Sequence, residues 1–141
     1  LVIDRGSSDG IVSGLGVFAR DGIFVGKISQ VEERHSVVIL LTDTASRGAV
    51  SVSTEDAVYG GVTQGEHNLN IRIEFLPKEA MIRSGDTVTT SGLEENIPAG
   101  FAIGIVEEVT DGSGSLFKSA IVAPAIDFST LQFLSVLVPK K

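Results

Sequence analysis

Sixteen glycines break the 141-residue chain into short β-branched pieces. No segment of the chain offers a helix-forming run of the ten or more residues that a crossover helix requires. This argues against a parallel sheet covered by helices and points to an all-β chain. The candidate strands are residues 1–4, 16–20, 24–33, 37–42, 49–53, 58–64, 68–75, 87–91, 102–109, 119–123 and 133–138. In the seventh, Leu69, Ile71, Ile73 and Phe75 alternate with Asn68, Asn70, Arg72 and Glu74. That alternation predicts one buried and one wet face. Only Pro77–Arg83 suits a turn or two of helix.

The strands repeat. An offset of 71 pairs Ile11, Ser13, Gly14 and Val17 with Ile82, Ser84, Gly85 and Val88. After an insertion around Glu94–Gly100, Val25-Gly26-Lys27-Ile28 and Val31 fall on Ile103-Gly104-Ile105-Val106 and Val109. At an offset of 84, Asp43 meets Asp127, and Val50-Ser51-Val52 meets Leu134-Ser135-Val136. Blocks in the same order in both halves predict a duplicated unit folded as two small antiparallel β-barrels. The first is expected over residues 1–66 and the second over 67–141, with the break near Gly65–Asn68. The pattern leaves open whether the last strand, 133–138, closes the second barrel or crosses to the first. Gly26 and Gly104 lie inside strands, where glycine marks the bends a small barrel needs.

Eleven Lys and Arg against eighteen Asp and Glu give a net charge of −7, the opposite of the basic footprint that nucleic acid or an anionic membrane surface selects. With no cysteine, disulfides, thiolate nucleophiles and Cys-ligated metals are excluded. The longest run without charge, Phe128–Pro139, falls short of the ~18 residues of a membrane-spanning helix. A start at Leu1, in an apolar run and without a leader pattern, reads as a piece of a longer polypeptide.

Motifs for chemistry are sparse. Gly6-Ser7-Ser8-Asp9-Gly10 matches the nucleophile-elbow spacing, and Asp43 and His67 follow in hydrolase order, but no helix follows Ser8. Gly14-Leu15-Gly16-Val17-Phe18-Ala19 fits a loose dinucleotide fingerprint and lacks its helix too. His35 and His67 have Glu32–Glu33 and Glu66 beside them, yet each sits in a charged turn without the three or four ligands of a metal site. These residues predict no catalytic, cofactor or metal site. The insertion is expected to form a loop unique to the second barrel, and loops carry recognition. Glu94, Glu95, Asn96, Ile97 and Phe101 are therefore the candidate partner-binding residues.

Read together, Val2-Ile3-Asp4-Arg5-Gly6-Ser7-Ser8-Asp9-Gly10-Ile11, Val25-Gly26-Lys27-Ile28, Leu40-Leu41-Thr42-Asp43, Ser84-Gly85-Asp86-Thr87-Val88-Thr89-Thr90-Ser91-Gly92-Leu93 and Pro98-Ala99-Gly100 form an ordered series. The series resembles the extracytoplasmic domain of the rod shape-determining MreC family. The chain departs from the family pattern in one extra residue within Gly22–Gly26, in Thr44 where proline often stands, and in Gly48. The resemblance implies two barrels arranged as in a chymotrypsin-type protease but without a triad. It implies a non-catalytic scaffold of the cell-elongation machinery, anchored through an upstream helix at the periplasmic or extracellular face of the bacterial cytoplasmic membrane. Its implied partners are the elongation penicillin-binding protein, the MreB and MreD machinery and further copies of itself, and it implies no cofactor. Two other readings compete. A wall-glycan module needs exposed aromatics for sugar stacking, and the chain has no Trp and one Tyr. A cryptic serine hydrolase would use Ser8 or Ser91.

Overall fold

In the computed structural model, which describes residues 1–111 and 116–138, the chain forms eleven strands in two antiparallel sheets. They are β1 (Val2–Ile3), β2 (Gly16–Phe18), β3 (Phe24–Val31), β4 (Ser36–Leu40), β5 (Arg47–Ser53) and β6 (Val58–Glu66). They continue with β7 (Asn70–Pro77), β8 (Thr87–Thr90), β9 (Ala102–Thr110), β10 (Phe117–Pro124) and β11 (Ser135–Val136). Each overlaps one of the expected segments. The first sheet, ordered β1-β4-β3-β2-β11, is open, while β10-β7-β6-β5-β8-β9 closes into a barrel. Pro77–Arg83 makes a turn closed by Ala80 N–H donating to the Pro77 carbonyl, with Ala80 and Ile82 buried, and no helix. Among the described residues, no helix is long and apolar enough to cross a membrane.

Among the described residues the first sheet is a half-barrel of five strands, and the second unit closes. The break expected at 66/67 falls inside the closed barrel, between β6 and β7, which pair from Val62–Glu74 to Glu66–Asn70. The physical reason is the chemistry of that turn. His67 and Asn68 take φ of 54° and 59°, and Leu69 N–H donates to the Glu66 carbonyl, the backbone of a tight hairpin turn. Turn residues serve a hairpin tip and a domain linker equally well.

The registers carry the duplication. Val17 pairs with Gly26 and Gly26 with Leu40; in the barrel Val88 pairs with Gly104 and Gly104 with Pro124. One bulge follows Ile28 in β3 and its counterpart follows Val106 in β9. Asp43 accepts from Ala45 N–H at 2.8 Å just as Asp127 accepts from Ser129 N–H at 2.9 Å. The fourth strand of each unit is exchanged: Val52 of β5 pairs with Val88 of β8, and Val136 of β11 pairs with Val17 of β2. The last strand thus crosses to the first sheet.

The alternation in β7 holds for Ile71 and Ile73, both fully buried, and then breaks. Phe75 adopts φ of 64°, and the ladder to β10 steps from Ala120–Ile73 to Lys118–Leu76, one extra residue on β7. This bulge turns Phe75 outward against Phe117, ring centroids 5.6 Å apart, and buries Leu76 instead. The two sheets share packing: Phe18 and Phe24 of the first sheet belong to the same apolar cluster as Val50, Ile73 and Val88 of the barrel.

Candidate interaction surface

The residues that resembled a hydrolase triad have local duties. Ser8 lies in a single 3-10 turn, Ser7–Asp9, and its hydroxyl donates to the Glu33 carbonyl at 2.8 Å. Asp43 caps its own turn, and His67 is exposed at the β6–β7 tip. The Ser91 hydroxyl donates to the Ala49 carbonyl at 3.0 Å and accepts from Leu93 N–H at 3.1 Å. Neither serine is hydrogen-bonded to a histidine among the described residues. The glycines at 14 and 16 lead into β2 rather than a helix. Among the described residues no three His, Asp or Glu side chains gather as a cation site requires. Two ionisable groups show shifts with structural causes. The Ser129 hydroxyl and amide hold the Asp127 carboxyl below its usual range, and the Glu66 carboxylate raises the Arg72 guanidinium. Both belong to turn and hairpin hydrogen bonding, not to a site for proton transfer.

The 94–101 loop is built, not loose. Thr90 clasps it: its hydroxyl donates to the Pro98 carbonyl at 2.6 Å and accepts from Phe101 N–H at 3.0 Å. Asn96 and Gly100 supply positive φ at its corners. Ile97 is buried in the core shared by the two sheets. Phe101, half-buried, packs its ring 4.7 Å from Phe18 of β2. Glu94 forms a 2.5 Å ion pair with Lys27 of β3, whose ammonium also donates to the Arg47 carbonyl at 3.0 Å. Of the five candidate residues, Glu94, Ile97 and Phe101 therefore fasten the barrel to the first sheet, and Glu95 and the partly exposed Asn96 face outward. Leu93, beside them and 83% exposed, was not among the expected residues. Phe101→Ala should lower stability by roughly 1.5–3 kcal/mol, since a large ring is lost from a half-buried contact. Chemical denaturation reads this, and an unchanged midpoint would contradict the fastening role.

Outward-facing apolar groups were harder to anticipate. Phe75, placed inside by alternation, is 51% exposed because of the bulge; the adjacent apolar pair Phe75-Leu76 was the one sequence sign of it. Along the open side of the first sheet, Val2 and Phe133 are also exposed, and a groove of about 710 Å³ runs between β1 and β11.

With this arrangement in place, comparison with known proteins is decisive. Residues 1–138 match the family described as "Rod shape-determining protein MreC, barrel core". The chain belongs to the MreC family. It is 36% identical over 138 residues to the cell shape-determining protein MreC of Cereibacter sphaeroides, covering 97% of this chain and 43% of that protein. With MreC of Listeria monocytogenes it shares 30% identity, covering 96% of this chain and 46% of that protein. The chain thus spans about half the length of the curated MreC relatives it matches. The solved Listeria MreC structure superposes with a TM-score of 0.88 at 29% identity, over 97% of this chain and 66% of that one. The MreC fold also recurs, at 21% identity and a TM-score of 0.71, in a complex between a penicillin-binding protein, PBP2, and MreC from Helicobacter pylori; the match covers 89% of this chain and 78% of that one. The all-β fold, with one closed barrel and one half-barrel, is the MreC fold.

Proposed function

We propose that the chain is the partner-binding barrel module of a non-catalytic cell-shape scaffold. In this reading it organises lateral peptidoglycan synthesis by holding the elongation penicillin-binding protein at the outer face of the cytoplasmic membrane. Its contacts extend to the MreB and MreD machinery and to further copies of itself. The observation that carries the reading is the match of the MreC barrel core to residues 1–138, nearly the whole chain. Supporting it, relatives are named cell shape-determining proteins, and the Helicobacter pylori MreC was captured with a penicillin-binding protein. The serines that a hydrolase would use are engaged with backbone carbonyls. The net charge of −7 is consistent with a protein partner rather than nucleic acid.

A graft tests the role in cells. Replacing the barrel core of the MreC of a rod-shaped bacterium with this chain, in place of the native gene, should keep the cells rod-shaped. Rounded cells, despite an expressed graft and a folded barrel, would contradict the reading.

A further inference from the structure

One wall of the closed barrel carries no charge. Successive residues of a strand face opposite sides, so with Val50 and Val52 of β5 in the core, Ser51 and Ser53 point outward. The registers extend that outer face across four strands. Ser53 stands between Val58 of β6 and Thr87 of β8, and Thr87 pairs in turn with Ile105 of β9. In the next row Ser51 stands between Gly60 and Thr89, and Thr89 pairs with Ala102. Charged residues make up 21% of the chain, yet none of these eight is charged. On the opposite wall, centred on β10, the outward row Arg72–Ile121–Glu108 is charged at both ends.

A solvated antiparallel face ordinarily sets polar and charged side chains outward against the apolar ones within. Depletion of charge marks instead the centre of a surface that a partner covers. Val58 and Ile105 are 65% and 49% exposed on this wall. Gly60 adds a second sign. A Cβ there would meet nothing within 4 Å, so no contact inside this chain calls for glycine. Its bare backbone admits close approach from outside.

We propose that this wall docks a second copy of this chain, wall to wall about a twofold axis at Ser51. The proposal rests on the self-association in the reading above and names its surface. Charge selects both the occupant and its orientation. The two ends of the face have opposite sign: Arg47 opens β5 on the outward side, and the exposed Glu55 and Asp56 lie in the turn that follows the strand. Ser51 is midway between positions 47 and 55, so a twofold axis there lays Arg47 of each copy over Glu55 of the other. Two chains at −7 repel over most of their surfaces, and an uncharged wall bounded by complementary ends is where they can meet. The six-stranded barrel curves away on both sides of β5, so the contact is small and the dimer reversible.

Sedimentation equilibrium over a range of concentrations should show a monomer–dimer equilibrium. Ser51→Lys, which brings two ammonium groups together on the axis, should raise the dissociation constant at least about tenfold. Ser119→Lys makes the same charge change on β10 of the opposite wall and should leave the constant unchanged. Arg47→Glu should weaken the dimer about fivefold, and adding Glu55→Arg should restore it. Because the chain lacks cysteine, Ser51→Cys should cross-link into dimers with a short bis-maleimide, and Ser119→Cys should not. Thermal unfolding checks that each variant is folded. A dimer unaffected by Ser51→Lys, or weakened equally by Ser119→Lys, would overturn the proposal and leave self-association standing. A chain that stays monomeric at every concentration would overturn both.

Discussion

Gly104→Val should cost at least about 3 kcal/mol and remove the cooperative unfolding transition near room temperature in a domain of ordinary stability. Gly104 sits in β9 between Val88 and Pro124, and a Cβ there would collide with the Ala123 carbonyl oxygen. Its backbone is not left-handed, so the requirement is close approach of a neighbouring strand rather than a special φ. Gly26, its counterpart in the first sheet, would collide with the Ile39 carbonyl in the same way. Gly60 is the control. It lies in β6 with nothing within 4 Å of its Cβ position, and Gly60→Ala should change stability by less than about 1 kcal/mol, in the stabilising direction. Thermal and denaturant unfolding of the two variants distinguishes the cases. Equal midpoints for both would show that the β9–β10 approach is not constrained as described.

A chain divided between Glu66 and His67 should yield two pieces that are each unfolded and that regain β-structure only when mixed. The division separates β6 from β7 and leaves β5 without β8, and it deprives β2 of β11. It also splits the shared core, in which Phe18 and Phe24 pack with Ile73 and Val88. Circular dichroism of each piece and of the mixture reads the result. If each piece folded alone and cooperatively, the exchange of fourth strands would not be what holds the molecule together.

How far the sequence reached depended on whether a local pattern had one or several tertiary outcomes. The strands were legible because short β-branched runs between turn residues have few alternatives. The duplication was legible because the same bulges and close approaches demand the same residues twice, as at Gly26 and Gly104. Strand exchange was not legible. Val50-Ser51-Val52 and Leu134-Ser135-Val136 satisfy a sheet edge equally well in their own unit or in the other, and only the pairing with Val88 and Val17 decides it. The 66/67 hairpin was misread as a boundary for a related reason, since its residues favour any reversal of direction.

The candidate surface was legible in part. The insertion Glu94–Gly100 lies between β8 and β9, where apolar residues serve anchoring as well as recognition. Ile97 and Phe101 do the former. Phe75 was read as core because a strict period of two ignores a bulge, and one inserted residue reverses every face beyond it.

The most direct measurement is binding of this chain to the periplasmic portion of the elongation penicillin-binding protein from the same organism, by titration calorimetry. Leu93→Asp and Glu95→Lys variants, at outward-facing loop positions, would be measured alongside. The account predicts saturable binding, weakened by those variants while the unfolding midpoint stays unchanged. A folded chain that shows no binding would contradict the claim that this barrel core is itself a partner-binding module.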